Sequence, residues 1–147
     1  MIKRITLRNP LPGILDMLLP PRCLLCGGPA GSTCLCAACK SDLPWAGFQC
    51  HRCGLPLTLQ SDKICGACIT MPPPFTATVS PLNYRFPADR LVQAFKFRRQ
   101  HAAGRILADI MAENIPAEPR CRPDMLIPVP LHLARFAQRG FNQAYEL

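Results

Sequence analysis

The chain has 147 residues, enough for one ordinary domain or two small ones. Ten cysteines and seventeen prolines are both high for that length, whereas nine glycines are not, which excludes a collagen-like or disordered chain in favour of a cross-linked or metal-bound part. The formal charge of +8 divides evenly, with seven basic and three acidic groups in residues 1–70 and ten and six in residues 71–147.

Residues 1–19 form an N-terminal segment. Pro12 to Leu19 is predicted as a short amphipathic helix with Ile14, Leu15, Leu18 and Leu19 on one face, packed against the cysteine-rich part. Arg8, Pro10, Pro12 and Asp16 break up any apolar run, and there is no A-x-A-like cleavage site after it. No window approaches the roughly 18 apolar residues a spanning helix needs. The reading is therefore a cytoplasmic chain without a membrane span. In that compartment paired cysteines indicate metal, not disulfides.

Residues 20–70 hold four Cys-x-x-Cys units: Cys23/Cys26, Cys36/Cys39, Cys50/Cys53 and Cys65/Cys68. Two intervening residues let both sulfurs of a tight turn point at one ion. Two such turns supply the four ligands of a tetrahedral structural zinc site. A lone unit could be a redox pair; four evenly paired units point to two Zn2+ ions. Gly27 and Gly54 come directly after the first and third units, where glycine relieves the exit turn. These are features of a double zinc ribbon, a small module of loops and β-structure. The similar spacings favour sequential sites, Cys23/26/36/39 and Cys50/53/65/68, with an interleaved pairing as the alternative. Iron fits the same thiolate set. Cys34 competes with Cys36 as a ligand or is a free thiol; His51 sits between two ligands and faces solvent; Cys121 has no assignment. Eight thiolates and two divalent ions would leave the first half about neutral, so the surplus basic surface belongs to the second half.

Residues 71–75, Met-Pro-Pro-Pro-Phe, form a stiff connector. Residues 76–147 read as the first part of an α/β domain. Thr76 to Phe86 is predicted as a strand. A helix is expected from Pro87-Ala88-Asp89 with Leu91, Val92 and Phe95 buried. A second helix is predicted over His101 to Asn114, with Ala103, Ile106, Leu107, Ile110 and Met111 as its apolar stripe, ended by Pro116 and Pro119. Met125 to Pro130 is expected as a buried parallel strand. Leu131 to Arg139 is a loop or short helix, and Gly140-Phe141-Asn142-Gln143 opens another. One or two strands cannot form a parallel sheet covered on both faces, so the chain reads as the front of a longer design.

Leu18-Leu19-Pro20-Pro21-Arg22-Cys23, Tyr84 to Phe97, and above all Ile127-Pro128-Val129-Pro130-Leu131-His132 with Arg139-Gly140-Phe141-Asn142-Gln143 resemble the ComF family. The resemblance covers nearly the whole chain. It implies a double zinc ribbon joined to a type I phosphoribosyltransferase-like domain, C-terminally truncated here, with a link to competence and single-stranded DNA uptake. The family's two aspartates and Thr-Thr-Gly loop are absent from the sequence; Pro123-Asp124-Met125 precedes a strand instead of ending one. The 147 residues alone are therefore expected to be inactive. A complete domain would act on phosphoribosyl pyrophosphate with Mg2+.

This half also carries two candidate sites. Pro130, Arg135, Arg139 and Asn142 are candidates for phosphate or pyrophosphate, since arginine forks suit phosphate oxygens and Asn142 can cap the helix after it. Lys96, Phe97, Arg98 and Arg99, continuing to Gln100 and His101, are the candidate nucleic-acid cluster, because cations beside an aromatic face suit single strands. The plain alternative for the first is a pair of solvated surface arginines with Asn142 only a cap, and for the second an exposed helix end where the dipole favours cations anyway. Single-stranded DNA and DNA-uptake or recombination proteins are the expected partners.

Overall fold

The computed structural model describes residues 20–58, 63–115 and 123–147. The helix predicted over 12–19, Cys121, Pro116 and Pro119 lie outside them.

The cysteine-rich part is one backbone unit used twice. In the first copy Arg22 bridges Pro29; in the second Gln49 bridges Pro56, at the same offset from the leading cysteine. Cys23 N–H donates to Gly28 O and Cys50 N–H to Leu55 O, both at 2.8 Å. Gly27 N–H and Gly54 N–H close the two turns onto Cys23 O and Cys50 O. Both glycines have positive φ, +74° and +73°, a conformation that a Cβ would strain. After each turn a cysteine opens a five-residue helix: Cys36 precedes α1 (Ala37–Ser41) and Cys65 precedes α2 (Gly66–Thr70). Both hold the extended backbone of an N-cap, and the Cys36 sulfur accepts from Cys39 N–H.

The segment predicted as a strand over Thr76–Phe86 is extended but makes only one bridge, Trp45 with Leu82. It runs antiparallel along residues 44–52. Thr78 N–H donates to His51 O, Ala46 N–H to Pro81 O and Asn83 N–H to Pro44 O. Pro81 has no N–H and the register slips between His51 and Ala46, so a regular ladder does not form. The segment acts as a tie along the ribbons instead of as a sheet strand.

Next come α3 (Ala88–Arg98) and α4 (His101–Asn114). Pro87 stands one position earlier than expected, as the N-cap. Leu91 and Phe95 are buried on α3, while Val92 is half-buried. Ala103, Ile106 and Ile110 are buried on α4, but Met111 at the end of the predicted stripe is exposed. Arg99 ends α3 with a left-handed φ of 53° and its N–H returns to Ala94 O, which sharpens the turn into α4. The two helices share a core with Cys23, Leu35 and Leu43 of the first ribbon, and Trp45, Leu82 and Phe141 pack against its edge. Lys40 of α1 pairs with Glu113 of α4 at 2.8 Å, an exposed contact that orients more than it stabilises.

The strand expected over Met125–Pro130 is not buried and makes no ladder among the described residues. Met125, Leu126, Ile127 and Val129 are 72–83% exposed. A parallel strand needs a neighbour and two covering layers; here Pro128 and Pro130 remove donors, and Asn142 Nδ2 donates to Val129 O at 3.1 Å in place of a strand partner. The chain ends in α5 (Leu133–Arg139), closed by Gly140 at φ 82°, and α6 (Gln143–Glu146). The described residues hold three isolated bridges and no longer strand, so they show two ribbon-like units and a helical part, without an α/β sheet.

Gly104 sets the closeness of α3 and α4. A Cβ there would lie 2.6 Å from Phe95 Cε2 and 2.8 Å from Cδ2, and Phe95 is buried. Gly104→Ala gains up to about 1 kcal/mol of helix propensity. Forcing the Phe95 ring aside costs about 1–3 kcal/mol. Urea unfolding of the metal-loaded chain is expected to show a lower midpoint for Gly104→Ala; an unchanged or higher midpoint would show that Phe95 has room to move.

Candidate metal centres and the basic face

The backbone repeat brings the sulfurs into two quartets. Cys23, Cys26, Cys36 and Cys39 form one, and Cys50, Cys53, Cys65 and Cys68 the other, with all ligand atoms of a quartet within 4.8 Å of one another. This is the sequential grouping; the interleaved one is not formed. Cys26 and Cys36 sulfurs lie 3.7 Å apart, and those of Cys53 and Cys65 3.6 Å. A disulfide would require about 2.05 Å. A tetrahedron with metal–sulfur bonds of about 2.3 Å has an edge of about 3.8 Å. The measured separations match that edge, so each quartet fits one structural zinc ion. Four ligands from one chain close the coordination sphere and leave no position for a substrate.

The amides around each quartet prepare it for a cation. Burial opposes ionisation of Cys23, but backbone hydrogen bonds from Cys26, Cys36 and Leu25 outweigh it and lower its pKa to about 6. Backbone hydrogen bonds from Cys53 and Cys65 lower Cys50 to about 6 as well, against burial. The other end of each quartet responds oppositely. Cys68 is pushed up to about 12 by burial and by the thiols of Cys53, Cys65 and Cys50. Cys39 is raised by the Cys36 thiol and by burial. One sulfur is thus ready as a thiolate while another holds its proton until a divalent ion supplies positive charge. Metal binding must then release protons.

Cys34 is outside the quartet. It takes a left-handed φ of 55°, and its carbonyl accepts from Leu24 N–H. The sequence signal separating it from Cys36 is the Cys-x-x-Cys spacing to Cys39, which Cys36 has and Cys34 lacks. His51 is exposed and belongs to neither quartet.

The two candidate sites of the second half meet in space. Arg139 Cζ lies 5.2 Å from the centroid of the Phe97 ring. Arg99 Nη2 reaches Gln138 O at 3.5 Å. Phe141 packs between Phe95 and His101, with ring centroids 5.3 and 5.6 Å away. Lys96 is half-buried, while Arg98, Arg99 and Arg135 are exposed. Asn142 behaves as a cap: its Oδ1 accepts from Ala144 N–H, and its Nδ2 donates to Val129 O. Pro130 lies in exposed extended chain. A missed signal was the absence of acidic residues from 90–108 and from 125–145, which between them carry Arg90, Lys96, Arg98, Arg99, Arg105, Arg135 and Arg139.

Comparison with known proteins fits this geometry. A model of the double zinc ribbon domain matches residues 14–69. DNA utilization protein YhgH of Escherichia coli K12 is 31% identical over 134 residues, covering 87% of this chain and 59% of that protein. The Shigella flexneri protein of the same name gives the same identity and coverage. Competence protein F of Haemophilus influenzae is 31% identical over 129 residues, covering 84% of this chain and 56% of its own length. The chain therefore spans less than two thirds of these relatives. No solved structure matches it. Among the described residues no helix is long and apolar enough to cross a membrane.

The chain purified after zinc-replete expression is expected to contain two zinc ions. Cys50→Ser or Cys68→Ser should reduce this toward one, and Cys34→Ser and His51→Ala should leave it at two, read by atomic absorption. A drop in the last two variants would redraw the quartets.

Proposed function

We propose, from the premise that this chain belongs to the ComF family, that it handles single-stranded DNA in DNA uptake or utilization, with the double zinc ribbon as its structural base. The observation that carries this reading is Phe97, 68% exposed between Lys96 and Arg98 with Arg99 beside it, in a stretch without acidic residues. Cations neutralise phosphates and an open ring offers a surface to a base. The eight quartet cysteines hold the zinc ions in this reading, and the metal does no chemistry. Its role is to fold residues that have too little apolar core of their own. The names of the relatives, DNA utilization protein and competence protein F, agree with such a role. A cytoplasmic setting, and DNA-uptake or recombination proteins as partners, belong to the same proposal.

A second reading is supported by Arg135 and Arg139. They stand one turn apart on α5 and offer planar donors to a phosphate or pyrophosphate, as in the front part of a phosphoribosyltransferase acting on phosphoribosyl pyrophosphate. That activity would belong to the full length of the YhgH relatives, of which this chain spans 59%. Mg2+ enters only with that second reading; the metal-capable groups found among the described residues are the two cysteine quartets.

Binding of a labelled oligothymidylate is expected to weaken as salt rises, with a log–log slope of about −0.7 per phosphate neutralised. Alanine at Lys96, Arg98 and Arg99 together should weaken it further and flatten the slope by about 2. Affinity independent of salt, or unchanged in the triple variant, would remove the basis of the proposal.

A further inference from the structure

We infer that the Lys96–Arg99 cluster and the arginine face of α5 are one anion site sharing Arg139, so that a bound single strand and a free polyphosphate exclude each other. The inference rests on the strand-binding reading above and adds its regulation.

Three observations converge. The guanidinium of Arg139 lies over the Phe97 ring at 5.2 Å, so the group that would grip a phosphate on α5 already touches the surface that would receive a base on α3. Arg99 reaches across to Gln138 O, and its guanidinium lies 3.6 Å from where a Cβ on Gly140 would stand. Arg135 is four residues before Arg139, about 6 Å along the same helix face. The two segments that build this face contain seven basic residues and no acidic one. Nothing within either segment supplies an anion to these arginines. The charge therefore complements a chain of phosphates or a compact polyphosphate.

Sharing is a consequence of geometry. A strand stacked on Phe97 brings its phosphates to Arg98, Arg99 and Arg139. A pyrophosphate held by the forks of Arg135 and Arg139 would occupy the same positive region and turn the Arg139 guanidinium away from Phe97. Both ligands need the same cation, and two phosphate groups beside one guanidinium repel each other. Binding of either must weaken binding of the other, by equal factors in both directions.

The test is fluorescence anisotropy of a labelled oligothymidylate on the zinc-loaded chain. Magnesium-free pyrophosphate is compared with sulfate at equal ionic strength, and zinc retention is checked to be the same in both. Pyrophosphate is expected to displace the strand where sulfate does not. Arg139→Gln should lower strand affinity roughly tenfold, as loss of a charge-assisted contact does, and should blunt the pyrophosphate effect. Arg135→Gln, on the exposed face of α5, should blunt the pyrophosphate effect while costing strand affinity less than Arg139→Gln, and so guards against a folding defect in the first variant. Displacement by pyrophosphate no greater than by sulfate overturns the shared site. So does a strand affinity unchanged in Arg139→Gln while the Lys96/Arg98/Arg99 triple variant loses binding, an outcome that leaves the strand reading intact. A chain that binds no strand at all overturns the strand reading and this inference with it.

Discussion

Four sulfur atoms held within 4.8 Å of one another cannot all ionise without a cation between them. That repulsion is the constraint on which the rest of the structure depends. The Cys36 thiol and burial raise Cys39, and burial with the neighbouring thiols raises Cys68, while the backbone amides lower Cys23 and Cys50. A divalent ion resolves the conflict and, in doing so, fixes four separated points of the backbone at once. The ribbons have few buried apolar side chains to do that work. Leu35 and Leu43 are buried in the first ribbon, and the second offers its cysteines Cys50 and Cys68. Small units of this kind depend on a metal where larger ones depend on a core.

The first metal centre is also part of the core of the helical hairpin. Cys23 packs in one cluster with Leu91, Phe95, Ile106 and Ile110. The tie formed by Thr78–Asn83 runs along residues 44–52, across the boundary between the two ribbons. Order at the metal thus reaches α3 and α4 by direct contact, and from there the basic face, because Phe97 and Arg99 sit at the end of α3. The likeness to DNA utilization protein YhgH and to competence protein F spans these parts together and extends beyond the ribbon match at residues 14–69.

Local chemistry was legible in the sequence wherever a short-range rule governs it. The Cys-x-x-Cys turns with their exit glycines, the limits of the His101–Asn114 helix and the Asn142 cap are each set by a few neighbouring residues. The bridges at Arg22–Pro29 and Gln49–Pro56 revealed a backbone repeat that the cysteine spacing only hinted at. The strand readings failed because strand structure is not local. Met125–Pro130 has the right composition, but composition cannot supply a neighbouring strand. Thr76–Phe86 finds neighbours, yet Pro81 and the register slip prevent a ladder. The meeting of Phe97 with Arg139 lies forty-two residues apart in sequence, and no periodicity encodes it. The acid-free stretches were the only trace of it in the sequence.

The two quartets are unequally embedded, and that sets the consequence of losing each ion. Removing the ion at Cys23/26/36/39 would leave a gap in the cluster that holds the helical hairpin. The second quartet contributes no cysteine to that cluster, and around it Phe48, Leu55, Ile69 and Met71 are already exposed. Its opening exposes little new apolar surface. Loss of the second ion would therefore disturb the helical part less than loss of the first, so the two centres differ in how far their emptying is felt along the chain, one locally and one globally.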